Sequence, residues 1–217
     1  MDVVEAIGSR RSCRGFRPEP VPRQVLAEVL EAAARAPSAV NLQPWRVWVC
    51  TGAELDRLRR TLLARYRERR VGCSPGGGGG GARNLDPEAG PGSFGGLADI
   101  LAARGAELAP FINEGSCTLY GAPAGVFCFL EAPAPPGRWL DCGIWLGYLT
   151  LAAHARGLGA CPLGILAAYE EEVKDALFVP PEHTLACAAA LGYPDPEAPG
   201  SGFRAPRRRA AWVDWVG

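Results

Sequence analysis

Residue types that often carry metal or redox chemistry are scarce or scattered in this chain of 217 residues. Only two histidines are present, and the eight cysteines include no CxxC pair. A zinc site needs clustered thiolates or imidazoles, so we expect no metal site. Cys128 lies inside an apolar run at residues 126–129, which indicates a buried thiol in a reducing compartment.

A charge excess and a long hydrophobic run are also missing. The 23 basic and 23 acidic residues cancel, whereas proteins that bind nucleic acid usually carry a basic excess. The longest apolar stretch, residues 139–155, contains Asp141 and His154 and is short for a membrane span. Glu5 and Arg10 interrupt the first segment, where a secretory signal needs an apolar core. We therefore expect a cytoplasmic protein that binds neither nucleic acid nor a membrane.

Apolar periodicity predicts helices and strands that alternate along the chain. Residues 22–35 carry an apolar residue every four positions, with Pro22 in the first turn and Pro37 beyond the end, as an amphipathic helix does. Interleaved helices and strands indicate an α/β or a mixed α+β protein. The predicted helices are 2–8, 22–35, 53–70, 97–108, 138–156 and 170–178, the predicted strands are 46–51, 122–130 and 183–191, and a turn is predicted at 133–137.

The composition changes abruptly at residues 72–96. This stretch contains six consecutive glycines, and ordering so many glycines costs too much backbone entropy without outside contacts. Because helix and strand patterns resume after it, we predict a flexible loop inserted into a single domain of residues 1–217.

Four short segments could bind a ligand, although each one alone could equally be a solvated loop or turn. Residues 9–14 hold three arginines and two serines, which suit phosphate and other polar oxygens. Residues 36–45 contain two side-chain amides that can both donate and accept. The glycine-rich residues 157–164 follow a helix and not a strand, which argues against a Rossmann turn. Residues 206–209 add a second arginine run that could close a phosphate site with the first.

In this order and spacing, the segments resemble the nitroreductase family, in particular its nitrobenzoate and nitroaromatic reductases. The resemblance covers the whole chain apart from the glycine-rich insert. It implies an α+β fold with a mixed, mainly antiparallel central sheet flanked by helices, in an intertwined homodimer with FMN at the subunit interface. The matching motifs are Arg10-Arg11-Ser12-x-Arg14, Ala36-Pro37-Ser38-x-x-Asn41-x-Gln43-Pro44-Trp45, Gly121-Ala122-Pro123, Gly157-Leu158-Gly159 before Pro162-x-Gly164, and Leu191-Gly192-Tyr193-Pro194.

The resemblance also implies which residues bind FMN. Its phosphate, ribityl and pyrimidine groups would be held by Arg10, Arg11, Ser12 and Arg14, with Arg207 and Arg209 completing the phosphate site. Ser38, Ala39 and Asn41 would reach the same flavin from the partner subunit, and Pro37 and Gln43 are further cofactor-binding positions. Pro162, Leu163 and Gly164 would bind the flavin near N5, with the backbone N–H donors coming from Leu163 and Gly164.

The resemblance assigns catalytic roles to Arg14, Leu163 and Gly164. A positive charge from Arg14 near N1 and O2 is expected to stabilise the anionic reduced flavin. Family members often have glutamate where Leu163 stands, so any side-chain role of that position in orienting the nicotinamide is lost here.

The implied activity is that of an NAD(P)H-dependent FMN oxidoreductase. Hydride would pass from NAD(P)H through flavin N5 to an electron-poor acceptor such as a nitroaromatic or a quinone, by a ping-pong mechanism. The chain shows no convincing catalytic triad or carboxylate pair, which agrees with a reaction carried by a cofactor. Phe94, Phe111 and Tyr120 could line the pocket or simply belong to the core.

Three alternatives stay open at this point. The protein could be a flavin-dependent dehydrogenase or azoline oxidase that returns electrons to oxygen. It could bind flavin without turnover. It could also be a flavin-free interaction module.

Overall fold

The computed structural model describes residues 2–70, 95–207 and 215–216. Most of the predicted glycine-rich loop at 72–96 lies outside these ranges. The described helices are α1 (Val3–Ser9), α2 (Arg23–Ala33), α3 (Gly52–Arg69), α4 (Gly95–Ala102), α5 (Leu108–Cys117), α6 (Pro136–Ala155) and α7 (Glu170–Leu177). The strands are β1 (Arg46–Thr51), β2 (Ala124–Glu131), β3 (Gly159–Pro162) and β4 (His183–Gly192). Short 3-10 helices cover Ala39–Asn41, Leu119–Gly121 and Gly164–Tyr169.

The four strands form one sheet in the order β1-β2-β4-β3. Each neighbouring pair is antiparallel, and an isolated bridge between Ser12 and Ala160 adds a parallel contact at the β3 edge. The sheet is therefore mainly antiparallel, as predicted, and it brings the segment after α1 beside β3.

Strand β2 is an inner strand of the sheet, and its side chains alternate between the two faces, each of which is covered by helices. Val126, Cys128 and Leu130 pack in one core with residues of α2 and α6. Phe127 and Phe129 pack on the other face with residues of α3 and α7. Every residue of β2 except the last is buried, which explains its nearly continuous apolar sequence.

Helix α6 is apolar around most of its circumference, but it is buried on one side only. Cys142, Trp145 and Leu149 face the core, whereas Leu140 is 66% exposed and Tyr148 is 42% exposed. A helix that is apolar on nearly every side is typical of a protein core or a subunit interface. The buried face serves the core, and the outward face remains available for a contact.

Two predictions about local structure were wrong. The helix predicted at 97–108 is divided into α4 and α5, because the chain leaves the helix through Gly105, whose φ of +71° suits glycine. Residues 159–162, interpreted as part of a glycine-rich turn, form the edge strand β3, where a terminal proline is tolerated. Within the described ranges, no helix has both the length and the apolar character to cross a bilayer.

Candidate active site

The arginine-rich segment after α1 is fixed in place by the sheet. The backbone N–H of Cys13 donates to the Ala160 carbonyl at 2.9 Å, next to the bridge between Ser12 and Ala160. A few residues later Arg17 N–H donates to the Tyr193 carbonyl at 2.9 Å. The segment thus runs as an extended chain along β3, which holds Arg10, Ser12 and Arg14 at one edge of the sheet.

Arginines from the two ends of the chain meet at this edge. Arg10 is half-buried, and both its burial and the nearby charge of Arg207 lower the pKa of its guanidinium. Arg207 is exposed and donates to its neighbouring carbonyls of Ala205 and Pro206. Arg209, the other predicted C-terminal contact, lies outside the described residues.

A cavity of about 230 Å³ opens beside these arginines. Its lining includes Arg10 and Arg11 from the first motif, and also Arg204 and His154. The described lining residues include no carboxylate. The cavity is therefore strongly cationic and suited to an anion.

Hydrogen bonds orient the histidine of this cavity. Ser9 Oγ donates to the Glu5 carbonyl at 2.7 Å and lies 2.8 Å from His154 Nε2. Because the hydroxyl has only one proton to give, Nε2 must donate to Ser9 when both bonds form. Burial, followed by the charges of Arg10, Arg11 and Arg204, lowers the pKa of His154.

Arg14 lies on another side of the segment, near Tyr120 and Cys161. Its charge opposes the effect of burial, which raises the pKa of Cys161 to about 11. Burial likewise raises the pKa of Tyr120 to about 12, and a hydrogen bond with Arg14 opposes this rise. The half-buried Arg14 side chain is thus near β3, which contains Cys161, and near Tyr120.

The 36–45 segment adopts a tight, irregular turn. Val40, Asn41 and Gln43 all have positive φ, at +48°, +56° and +50°, a conformation that is costly for a β-branched valine. Gln43 N–H donates to Ser38 Oγ at 2.9 Å. Ala39 N–H donates to the buried carboxylate of Asp141 at 3.2 Å. Pro37, Ala39, Asn41 and Gln43 are exposed, and Ser38 is half-buried.

Within one subunit, this turn and the cationic cavity lie near opposite ends of α6. The turn contacts Asp141 near the beginning of the helix, and the cavity contacts His154 near its end. A helical rise of about 1.5 Å per residue separates these two residues by roughly 20 Å. The structure therefore does not bring the two predicted motifs together within a single chain.

Strand β3 is followed, two residues after its end, by the exposed Gly164. Pro162 is exposed, and Leu163 N–H donates to the Ala188 carbonyl at 2.8 Å, with its side chain buried in the core. The Leu163 N–H therefore has a partner inside the sheet, and its role near flavin N5 stays a prediction. Gly164 is exposed at the beginning of a 3-10 helix, and an added Cβ there would meet nothing within 4 Å. The backbone of Gly164 is therefore accessible, and its role as a donor toward the flavin stays a prediction.

The aromatic residues proposed for the pocket belong largely to the core. The rings of Phe111 and Tyr120 lie 5.6 Å apart. Phe111 also packs against the cluster that contains Leu97 and Phe203, and Tyr120 OH lies 3.2 Å from Ser116 Oγ. Phe94 lies outside the described residues.

Sequence reasoning missed three polar residues at these positions: Asp141, His154 and Arg204. The first two were visible as isolated polar residues within an apolar helix, a pattern that often marks a specific contact. Arg204 gave no signal of its own, because it stands apart from the arginine run that follows it.

Comparison with known proteins supports the resemblance found in the sequence. The Nitroreductase family model matches residues 7–73 and 102–193. A 4-nitrobenzoate reductase of Pseudomonas putida is 29% identical over 96% of this chain and 92% of the relative. Nitroreductase NfnB of Mycolicibacterium smegmatis is 33% identical over 95% and 91%. The crystal structure of the FMN-dependent nitroreductase NfnB from Mycobacterium smegmatis, in complex with NADPH, has a TM-score of 0.83 at 31% identity, over 99% of this chain and 97% of that one. The predicted family and the predicted α+β fold are confirmed.

Proposed function

This chain belongs to the nitroreductase family, and we propose that it is an FMN-dependent oxidoreductase that uses NAD(P)H to reduce an electron-poor acceptor. The proposal rests on a cationic cavity lined by Arg10 and Arg11, with Arg207, from the opposite end of the chain, near enough for its charge to lower the pKa of Arg10. When bound, FMN supplies the hydride-accepting group, and the protein's part is to hold and orient it.

The chemistry of the donors fits a phosphorylated flavin. Guanidinium groups bind phosphate through paired N–H donors, and the repulsion between Arg10 and Arg207 would be offset by a bound dianion. The proposed phosphate and ribityl contacts are Arg10, Arg11, Ser12, Arg207 and Arg209.

Two further residues suit the ring system. The half-buried Arg14 would place a positive charge beside the pyrimidine edge, where it favours negative charge. Gly164 would direct its N–H toward N5 from the end of β3, where Pro162 turns the chain outward. These are roles of orientation and electrostatics, and they need no side-chain nucleophile.

The remaining predicted contacts require a second copy of the chain. The turn that carries Ser38, Ala39 and Asn41 is too far along α6 to reach the cationic cavity of its own subunit. Exposed apolar side chains on α1 and on the outward face of α6 supply a surface for pairing. We therefore propose a homodimer in which each flavin contacts both subunits. Pro37 and Gln43 would shape the turn that each subunit presents to the flavin of the other.

The names of the relatives favour a nitroaromatic as the acceptor. One relative is a 4-nitrobenzoate reductase, and the NfnB structure was solved with NADPH. We propose the same class of acceptor here, with quinones as a second class, and NADPH as a hydride donor.

Anaerobic spectroscopy of the purified protein tests this function. We expect a flavin spectrum that bleaches on addition of NADPH or NADH and recovers when 4-nitrobenzoate is added. The Arg10→Gln/Arg207→Gln double variant serves as the control and should retain little FMN. Colourless wild-type protein that takes up no added FMN would contradict the proposal.

The same experiment separates the alternatives. Bleaching by a metabolite without a nicotinamide cofactor, followed by oxygen consumption, would indicate a dehydrogenase or oxidase. A flavin that neither NADH nor NADPH can reduce would indicate a binding protein without turnover.

A further inference from the structure

We propose that His154 and Arg204 extend the phosphate site beyond the motif arginines and recognise the terminal phosphate of FMN. This inference rests on the proposed function, since it assigns two more residues to the same cofactor. Neither residue belongs to the motifs that carry the family resemblance.

His154 and Arg204 line the same cavity as the motif residues Arg10 and Arg11. Arg204 comes from the C-terminal segment and His154 from the end of α6, so three separate parts of the chain converge on one volume of about 230 Å³. A set of cations gathered without a lining carboxylate, among the described residues, is suited to a multiply charged anion.

Hydrogen bonds fix the orientation of the His154 imidazole. Ser9 gives its proton to the Glu5 carbonyl and accepts from His154 Nε2 at 2.8 Å. This chain of two hydrogen bonds ties α6 to the last turn of α1, immediately before Arg10. The histidine is therefore held in a fixed place beside the first motif.

The charges around His154 also suit a bound phosphate. The charged groups near His154 are Arg10, Arg11 and Arg204, which together with burial lower the pKa of its imidazole, and Glu5, which raises it. A phosphate in the cavity would reverse this balance and favour the imidazolium. FMN binding would then take up a proton, so the contribution of His154 is absent at high pH and grows as the pH falls toward and below its ordinary pKa of about 6.5.

Binding of FMN and of riboflavin to the flavin-free full-length protein separates phosphate recognition from a general structural role. We expect Arg204→Gln to raise the Kd for FMN about tenfold and to leave the Kd for riboflavin unchanged. Arg204→Lys should retain part of the affinity. The matched control is Arg60→Gln, on an exposed position of α3 across the sheet, which should change neither Kd.

The pH dependence tests His154 separately. His154→Gln should raise the Kd for FMN about threefold at about pH 6 and leave it unchanged at about pH 8. The second ionisation of the phosphate, also near pH 6, affects wild type and variant alike, so the ratio of their Kd values isolates the histidine. Fluorescence quenching of the flavin gives each Kd.

The outcomes are distinct from those of the proposed function. Equal losses of FMN and riboflavin affinity, or no loss of FMN affinity in either variant, would overturn the assignment of His154 and Arg204 while leaving an FMN enzyme in place. Wild-type protein that binds no flavin would overturn both. A rise in the KM for NADPH alone, with FMN affinity unchanged, would assign the two residues to the nicotinamide cofactor and overturn the proposal.

Discussion

At the scale of the residue, Arg14 differs from the other motif arginines in its surroundings. Arg10 and Arg11 line the cationic cavity, whereas Arg14 interacts with Tyr120 and influences Cys161. We infer that Arg14 acts on the flavin ring and that the other two act on the phosphate.

Replacement of Arg14 should consequently affect rate more than binding. We expect Arg14→Ala to slow flavin reduction by NADPH by about tenfold or more, because a positive charge beside the ring is lost, with a smaller rise in the Kd for FMN. Stopped-flow absorbance measures the rate, and Arg14→Lys should restore part of it. An unchanged bleaching rate would remove Arg14 from the catalytic set.

Tyr120, which forms a hydrogen bond with Arg14, is expected to affect the stability of the fold at high pH. Burial raises its pKa to about 12, above the ordinary value of about 10. The folded state therefore favours the neutral phenol, and this contribution is complete below about pH 10 and is lost as the pH rises toward 12.

We expect Tyr120→Phe to be less sensitive to alkaline unfolding than wild type over that range, by up to about 2 kcal/mol in the free energy of unfolding. Denaturant titrations at a series of pH values provide the measurement. Parallel pH curves for the two proteins would show that Tyr120 ionises normally in the folded state.

Among the helices and strands, those that were predicted correctly are the ones whose formation is determined by a local sequence pattern. β1 was correct at residues 46–51 because its side chains alternate, and α2 was found within two residues because its apolar stripe is regular. β3 was missed because its residues, Gly159–Pro162, have poor strand propensity and become a strand only by pairing with β4. Pairing with β4, and not local strand propensity, therefore determines that these residues form a strand.

The turn at residues 36–45 is another element whose shape depends on a distant residue. Asp141 accepts the Ala39 N–H from the beginning of α6, and the turn contains three residues with positive φ. An isolated segment would not keep this conformation, since such φ values are unfavourable outside glycine. We infer that Asp141 positions the turn.

Replacement of Asp141 tests that inference. Asp141→Ala leaves the Ala39 N–H without its acceptor and should cost about 1–2 kcal/mol of unfolding free energy, with faster hydrogen exchange at residues 38–43. Asp141→Asn keeps an acceptor oxygen and should recover most of both. Equal exchange in wild type and Asp141→Ala would mean that the turn holds its shape without the carboxylate.

At the scale of the whole molecule, the site could be predicted only in part from the sequence. The arginine motifs were visible because they are contiguous, but the approach of Arg207 to Arg10 depends on the path of the complete chain. Arg204 comes from the same C-terminal segment as Arg207, and His154 joins them from the end of α6. No sequence pattern relates residues that are brought together only by folding, and this is why His154 and Arg204 were not foreseen among the residues that line the cavity.

The turn at residues 36–45 and the cationic cavity lie near opposite ends of α6, so FMN binding is expected to depend on assembly of the dimer. If the turn at residues 36–45 serves the flavin of a second copy, then separation of the subunits should also release FMN. Leu140 is 66% exposed on the outward face of α6, so Leu140→Asp places a charge in the proposed interface, where desolvation is costly. We expect a monomer in sedimentation experiments, with most of its flavin lost.

Phe178→Asp is the matched control, because Phe178 is 82% exposed at the end of α7, on the other side of the sheet. It should leave both the mass and the FMN content of the wild-type dimer unchanged. A Leu140→Asp monomer that retains stoichiometric FMN would show that one chain completes the site alone. In that case the roughly 20 Å separating the two motifs along α6 would mean that the turn serves some other purpose than cofactor binding.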